Sequence, residues 1–130
     1  MGRQLAKAHA YGNDFLYLET DALDRPDGPS LARTLCERHT GVGADGLILY
    51  RVSAQGADMR LYNADGSFSE VSGNGVRGLA ALRCWSAVRA GLALPASVVI
   101  HTDAGNKDVS ILESAPHDSC AVRRWGIRRM

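Results

Sequence analysis

No apolar run in this 130-residue chain is long enough to span a bilayer, and the greasiest stretch, Gly78 to Leu94, is interrupted by Arg83 and Arg89. The opening segment MGRQLAKAHAYGNDF lacks a continuous apolar region and a small-residue cleavage site, and Ala6 stands where a myristoylation signal needs Ser or Thr. These absences predict a cytoplasmic protein without a membrane partner. Cysteine is scarce: Cys36, Cys84 and Cys120 are odd in number and widely spaced, which argues against a disulfide framework and against a C-x-x-C zinc site. The four histidines, His9, His39, His101 and His117, show no metal-ligand spacing, so no metal is expected. Charge of one sign is also missing. Fifteen basic and fourteen acidic side chains leave a formal net charge of +1, which produces no field suited to nucleic acid. A small molecule is the remaining class of partner.

What is present reads as one globular domain of ordinary composition, 45% hydrophobic and 22% charged. Gln4 to His9 and Asp14 to Glu19 (DFLYLE) read as two strands joined as a hairpin through Ala10 to Asn13, the second strand apolar on both faces. Turn residues Asp24 to Pro29 precede Ser30, placed as the N-cap of a helix whose Leu31, Leu35 and Cys36 share a side and which Gly41 closes. Leu47 to Val52 and Asp58 to Asn63 read as strands, the latter half-buried. A long helix is predicted over Asn74 to Leu92, apolar enough to be wrapped by sheet and ended by Gly91 or Pro95. Ser97 to Thr102 and Asp108 to Leu112 form a hairpin about Asp103 to Asn106. Residues 1–113 thus make one domain. Residues 114–130 carry four arginines among the last eight and little periodicity, which suits either a solvated basic tail or a departure by truncation or frame change.

The chemistry is concentrated in Asn63 to Gly78, NADGSFSEVSGNGVRG. It passes from a strand end through a polar turn into a helix start, where backbone N–H groups lack intrahelical partners and face the positive end of the macrodipole. GNGVRG formally matches the dinucleotide fingerprint G-x-G-x-x-G, yet a polar loop precedes it, and the first acidic residue beyond the helix, Asp103, lies in a turn. The context rejects a nucleotide and leaves an anion cradle.

Four motifs in order, KAHAYGNDF (Lys7 to Phe15), RHTGVGADG (Arg38 to Gly46), NADGS (Asn63 to Ser67) and SGNGVR (Ser72 to Arg77), resemble the N-terminal half of the diaminopimelate epimerases. The resemblance implies an α+β fold, with a mostly antiparallel curled sheet around a central helix in each of two similar halves and an active site in the cleft between them. It implies an isomerase that moves the α-proton of LL-diaminopimelate to give the meso form, for lysine and peptidoglycan precursors, without pyridoxal phosphate or metal. Abstracting that proton builds negative charge on the carboxylate, which amides at a helix N-terminus stabilise. By motif position, Asn13 and Asn63 hold the amino-acid substrate, and Gly73 and Asn74 bind it through the backbone. Taken alone, the two asparagines would serve turns.

Three departures accompany the resemblance. Ser72 stands where most members carry a catalytic cysteine, and a hydroxyl is harder to deprotonate than a thiol. Ser72 reads both as N-cap and as catalytic residue. Gly46 and Gly78 replace a glutamine and a second cysteine. No C-G-T-G segment follows Glu113, and Cys120 lacks its Gly-Thr-Gly context. Two alternatives stand beside the epimerase reading: another isomerase or racemase of the same fold, and a non-catalytic half-domain. A lone half exposes apolar surface, so self-association to a homodimer is expected.

Overall fold

The computed structural model describes residues 5–10, 13–70, 73–93 and 96–110 and the pair 128–129. The chain runs β1 (Leu5–Ala10), β2 (Asn13–Glu19), α1 (Gly28–Cys36), β3 (Gly46–Val52), β4 (Gly56–Asn63), β5 (Phe68–Ser69), α2 (Gly73–Arg89), β6 (Ser97–Thr102), β7 (Gly105–Ser110) and β8 (Arg128–Arg129). The strands form one sheet in the order β7-β6-β4-β3-β2-β1-β8, with β5 added to β4. Hairpins account for β1/β2, β3/β4 and β6/β7, all antiparallel, and β8 joins β1 in the same sense. Two joins are parallel: β2 to β3 and β4 to β6. Parallel strands need a crossover, and α1 and α2 supply one each.

Those crossovers put the helices on opposite faces. Along β2, side chains alternate, so Phe15 and Tyr17 join Ile48, Tyr50, Met59 and Leu61 beneath α2. Leu16 joins Leu47, Leu49 and Tyr62 beneath α1. Phe15, Leu16 and Tyr17 are all buried, as expected of a strand apolar on both faces. In α2, Gly75, Val76 and then every residue from Gly78 to Leu82 are buried, whereas Val88 is exposed. The first half of this helix is wrapped by sheet, as its composition predicts.

Several boundaries differ from expectation. Asp27, not Ser30, is the α1 N-cap; Pro29, with its φ fixed near helical values, lies in the first turn, and the Ser30 hydroxyl donates to the Asp27 carbonyl at 3.0 Å. The helix ends at Cys36, before Gly41, because the Val42 and Gly43 amides turn back to the Leu35 carbonyl. Gly91 is the terminator of α2: its φ is +77°, and the Leu92 and Gly91 amides donate to Ala87 and Val88 in a Schellman closure. β4 begins two residues early, at Gly56, where a Cβ would collide with the Val99 carbonyl of parallel β6. The β6–β7 turn is tighter than predicted, since Thr102 pairs with Gly105 and Asn106 already lies in β7. The two-residue β5 has no sequence signature.

Candidate functional site

The end of the sheet where β2 begins and β4 finishes gathers the residues singled out from the sequence. Gly46 of β3 pairs with Phe15 on one side and Asn63 on the other, so β2 and β4 flank it. Asn13 shares the parity of Phe15 and Tyr17, and Asn63 that of Met59 and Leu61, which directs both asparagines to the α2 face. Gly46 between them has no room for a larger residue: a Cβ would lie 2.9 Å from the Tyr62 carbonyl and 3.3 Å from the Phe15 ring.

The crossover fixes where α2 starts. The helix leaves from the C-terminal end of β4 and delivers the chain to the start of parallel β6, so it runs back along the sheet. Two contacts mark its direction. The buried Tyr17 hydroxyl donates to the Gly75 carbonyl at 3.1 Å, and Arg83 Nε donates to the Gly56 carbonyl, at the far end of β4, at 3.3 Å. Helical rise carries Gly73 about 3 Å beyond Gly75 toward the asparagine end. Asn74 and exposed Gly73 therefore open the helix on the α2 face, beyond Gly75 in the direction of the strand ends that hold Asn13 and Asn63. Arg77, one turn in, donates to Asn74 Oδ1 at 3.3 Å. A groove continues from Gly73, Val76 and Arg77 to Lys107 and Val109 of β7.

Asn63 is held by Ser67 through both backbone and side chain. Its amide donates to the Ser67 carbonyl at 2.8 Å and its side-chain Nδ2 to Ser67 Oγ at 2.9 Å. Ser67 in turn donates to Asp65 through both its amide and its hydroxyl, which holds the Asp65 carboxyl below its ordinary range. Gly66 closes this turn with φ +89°, a conformation suited to glycine. Ser72 and Cys120, like nearly all of the 114–130 tail, lie outside the described residues.

Behind this end, on the α1 face, stands an ionic cluster that the motif reading passed over. Arg38 Nη2 lies 3.1 Å from Asp14 and 3.2 Å from Asp45, and Lys7 Nζ 3.5 Å from Asp14. Partial burial alone would raise the Asp14 carboxyl, but hydrogen bonds from Arg38 and Asp45 and the Arg38 charge prevail and hold it down at about 2. All four residues sit inside these motifs: Lys7 within β1, Asp14 near the start of β2, Asp45 just before β3 and Arg38 in the loop after α1. The buried Cys36 thiol is pushed up to about 11 by burial and by the Asp14 charge, which suits core packing. Among the described residues, no three His, Cys, Asp or Glu side chains converge as a metal site.

Comparison with known proteins bears on the family and the fold. A family model described as diaminopimelate epimerase matches residues 5–122. The diaminopimelate epimerase of Natranaerobius thermophilus is 41% identical over 113 residues, 83% of this chain and 36% of the relative. Diaminopimelate epimerase 1 of a Nostoc species is 43% identical over 84 residues, 62% of this chain and 30% of the relative. The chain thus spans about a third of the length of these curated relatives. Among solved structures, a PhzF-family phenazine biosynthesis protein of Enterococcus faecalis superposes with TM-score 0.61 at 9% identity, covering 87% of this chain and 42% of the other. A methylitaconate-delta-isomerase superposes with TM-score 0.59 at 14% identity, covering 87% of this chain and 35% of the other. At these identities the likeness concerns the fold.

Proposed function

The chain belongs to the diaminopimelate epimerase family, and from that membership we propose that it forms one wall of an epimerase site acting at the α-carbon of LL-diaminopimelate. The observation that carries this reading is that Asn13 and Asn63 share one end and one face of the sheet, and that α2 packs on that same face with its first turn anchored to β2 through Tyr17 and Gly75. In the proposed complex the Gly73 and Asn74 amides take the α-carboxylate, whose charge grows as the α-proton leaves. Asn13 and Asn63 hold the substrate's polar groups. By motif position Ser72, immediately before Gly73 in sequence, takes the acid–base role; its hydroxyl donates or relays the proton where other members use a thiol. The opposite face of the α-carbon is served by a second acid–base group, and neither pyridoxal phosphate nor a metal takes part. The reaction supplies lysine and peptidoglycan precursors in the cytoplasm.

Solvent deuterium incorporation at the α-carbon of LL-diaminopimelate, with the chain as it stands, tests the proposal. Exchange that falls with Asn63→Ala and changes with Ser72→Cys supports it. No exchange with either the native chain or Ser72→Cys would rule out catalysis by this wall alone.

A further inference from the structure

We propose that Arg38 is a positioning residue that sets the spacing of Asn13 and Asn63 from the opposite face of the sheet. The inference rests on the reading of those asparagines as substrate-holding groups. Its physical basis is the junction of three strands. Asp14 directly follows Asn13. Asp45 directly precedes Gly46, the cross-strand partner of Asn63. Asp14 and Asp45 exchange hydrogen bonds: the Asp14 amide donates to Asp45 Oδ2 at 2.9 Å, and the Asp45 amide donates to the Asp14 carbonyl at 2.9 Å and to its Oδ1 at 3.0 Å. The Asp45 carbonyl then accepts from the Ala64 amide at 3.1 Å, directly after Asn63. One chain of contacts thereby ties the residue after Asn13 to the residue after Asn63.

That chain brings two carboxylates together, and like charges at such range repel. Arg38 resolves the conflict. Its Nη1 and Nη2 donate to Asp14 at 3.4 and 3.1 Å, and Nη2 also donates to Asp45 at 3.2 Å. A planar guanidinium can bridge the pair, whereas Lys7 reaches only Asp14. Strand alternation does the rest: with Asp14 held on the α1 face, Asn13 must face α2. Among the described residues, Arg38 hydrogen-bonds Asp14 and Asp45 and not Asn13, Asn63, Gly73 or Asn74, and its influence passes through the backbone of β2, β3 and β4.

The test compares the full chain with Arg38→Gln, Arg38→Lys and a control, Arg51→Gln. The control removes a similarly exposed pair, Arg51–Asp58 at 2.8 Å, from the opposite end of the β3–β4 ladder. Amide hydrogen exchange is read residue by residue, and binding of LL-diaminopimelate is read by NMR titration. Arg38→Gln is expected to speed exchange of the Asp45 and Ala64 amides and weaken binding on the order of tenfold, as small misplacements of binding groups do. Exchange in the core strands at Leu49 and Ile100 stays unchanged. Arg38→Lys restores part of both losses, and Arg51→Gln causes neither. Native-like exchange at Asp45 and Ala64 in Arg38→Gln overturns the inference. A uniform rise across the core, marking a merely structural role, overturns it too. Failure of the native chain to bind LL-diaminopimelate would instead sink the site reading, and the exchange arm alone would then decide whether Arg38 clamps the strand ends.

Discussion

The two faces of the sheet divide the work. The α2 face carries the thicker core, from Ala8 and Tyr17 across to Ile100, and a helix buried around much of its first half. The α1 face carries a thinner one, in which Leu16, Leu47 and Leu49 meet a short helix with Ala32 and Cys36 buried. At the asparagine end both faces turn polar, but differently. The α2 face presents helix-start amides and asparagines, while the α1 face holds ion pairs. The proposed binding wall needs donors that stay in place, and it lies on the better-packed face. The other face supplies the brace.

The largest expected effect comes from hollowing each core in turn. Leu79→Ala in α2 and Leu49→Ala in β3 beneath α1 remove fully buried side chains, each at about 3 kcal/mol of stability in urea unfolding. Only Leu79→Ala should also weaken LL-diaminopimelate binding, because α2 carries Gly73 and Asn74. Equal effects on binding from both variants would erase the division between the faces.

A smaller effect sharpens it. Tyr17→Phe deletes the hydroxyl that anchors Gly75 and is expected to cost about 1 kcal/mol. Hydrogen exchange in the first turn of α2 should rise while α1 stays as it was. Exchange that rises equally in both helices would remove the anchoring role.

The smallest is acid sensitivity of the brace. The Asp14 carboxyl is lowered from 3.8 to about 2, so its stabilisation is fully present above about pH 4 and fades as pH falls toward about 2. Solvent screening limits the gain to about 1 kcal/mol. Asp14→Asn should flatten that part of the stability–pH curve, and an unchanged curve would show that the brace does not depend on this carboxylate.

The start of α2 and the strand ends beside the proposed wall were legible because their signals are local. A glycine-rich turn before an apolar helix marks a helix start wherever it occurs, and Asn13 and Asn63 belong to motifs of a few residues each. The α1 N-cap was misread because Ser30 and Asp27 are both capping residues, and only the position of Pro29 within the first turn separates them. The parallel joins were illegible for another reason: pairing over long stretches of chain leaves no periodic trace. β5 pairs locally with β4 but is two residues long, too short to carry a pattern. The Arg38 cluster combined both cases. Its members stand in short motifs, but Arg38 and Asp14 are 24 residues apart, and nothing local announces their meeting.

Local chemistry written in the chain thus accounts for the apolar strands, the sheathed helix, the amides exposed at its start and the serine beside them. Which groups face one another depended on folding. Two crossovers set α1 and α2 on opposite faces, one alternation step turned Asn13 toward α2 and Asp14 toward Arg38, and the β3 ladder brought Asn63 level with Gly46. Strand pairing is a long-range choice made by the packing of both faces together, and no single segment encodes it.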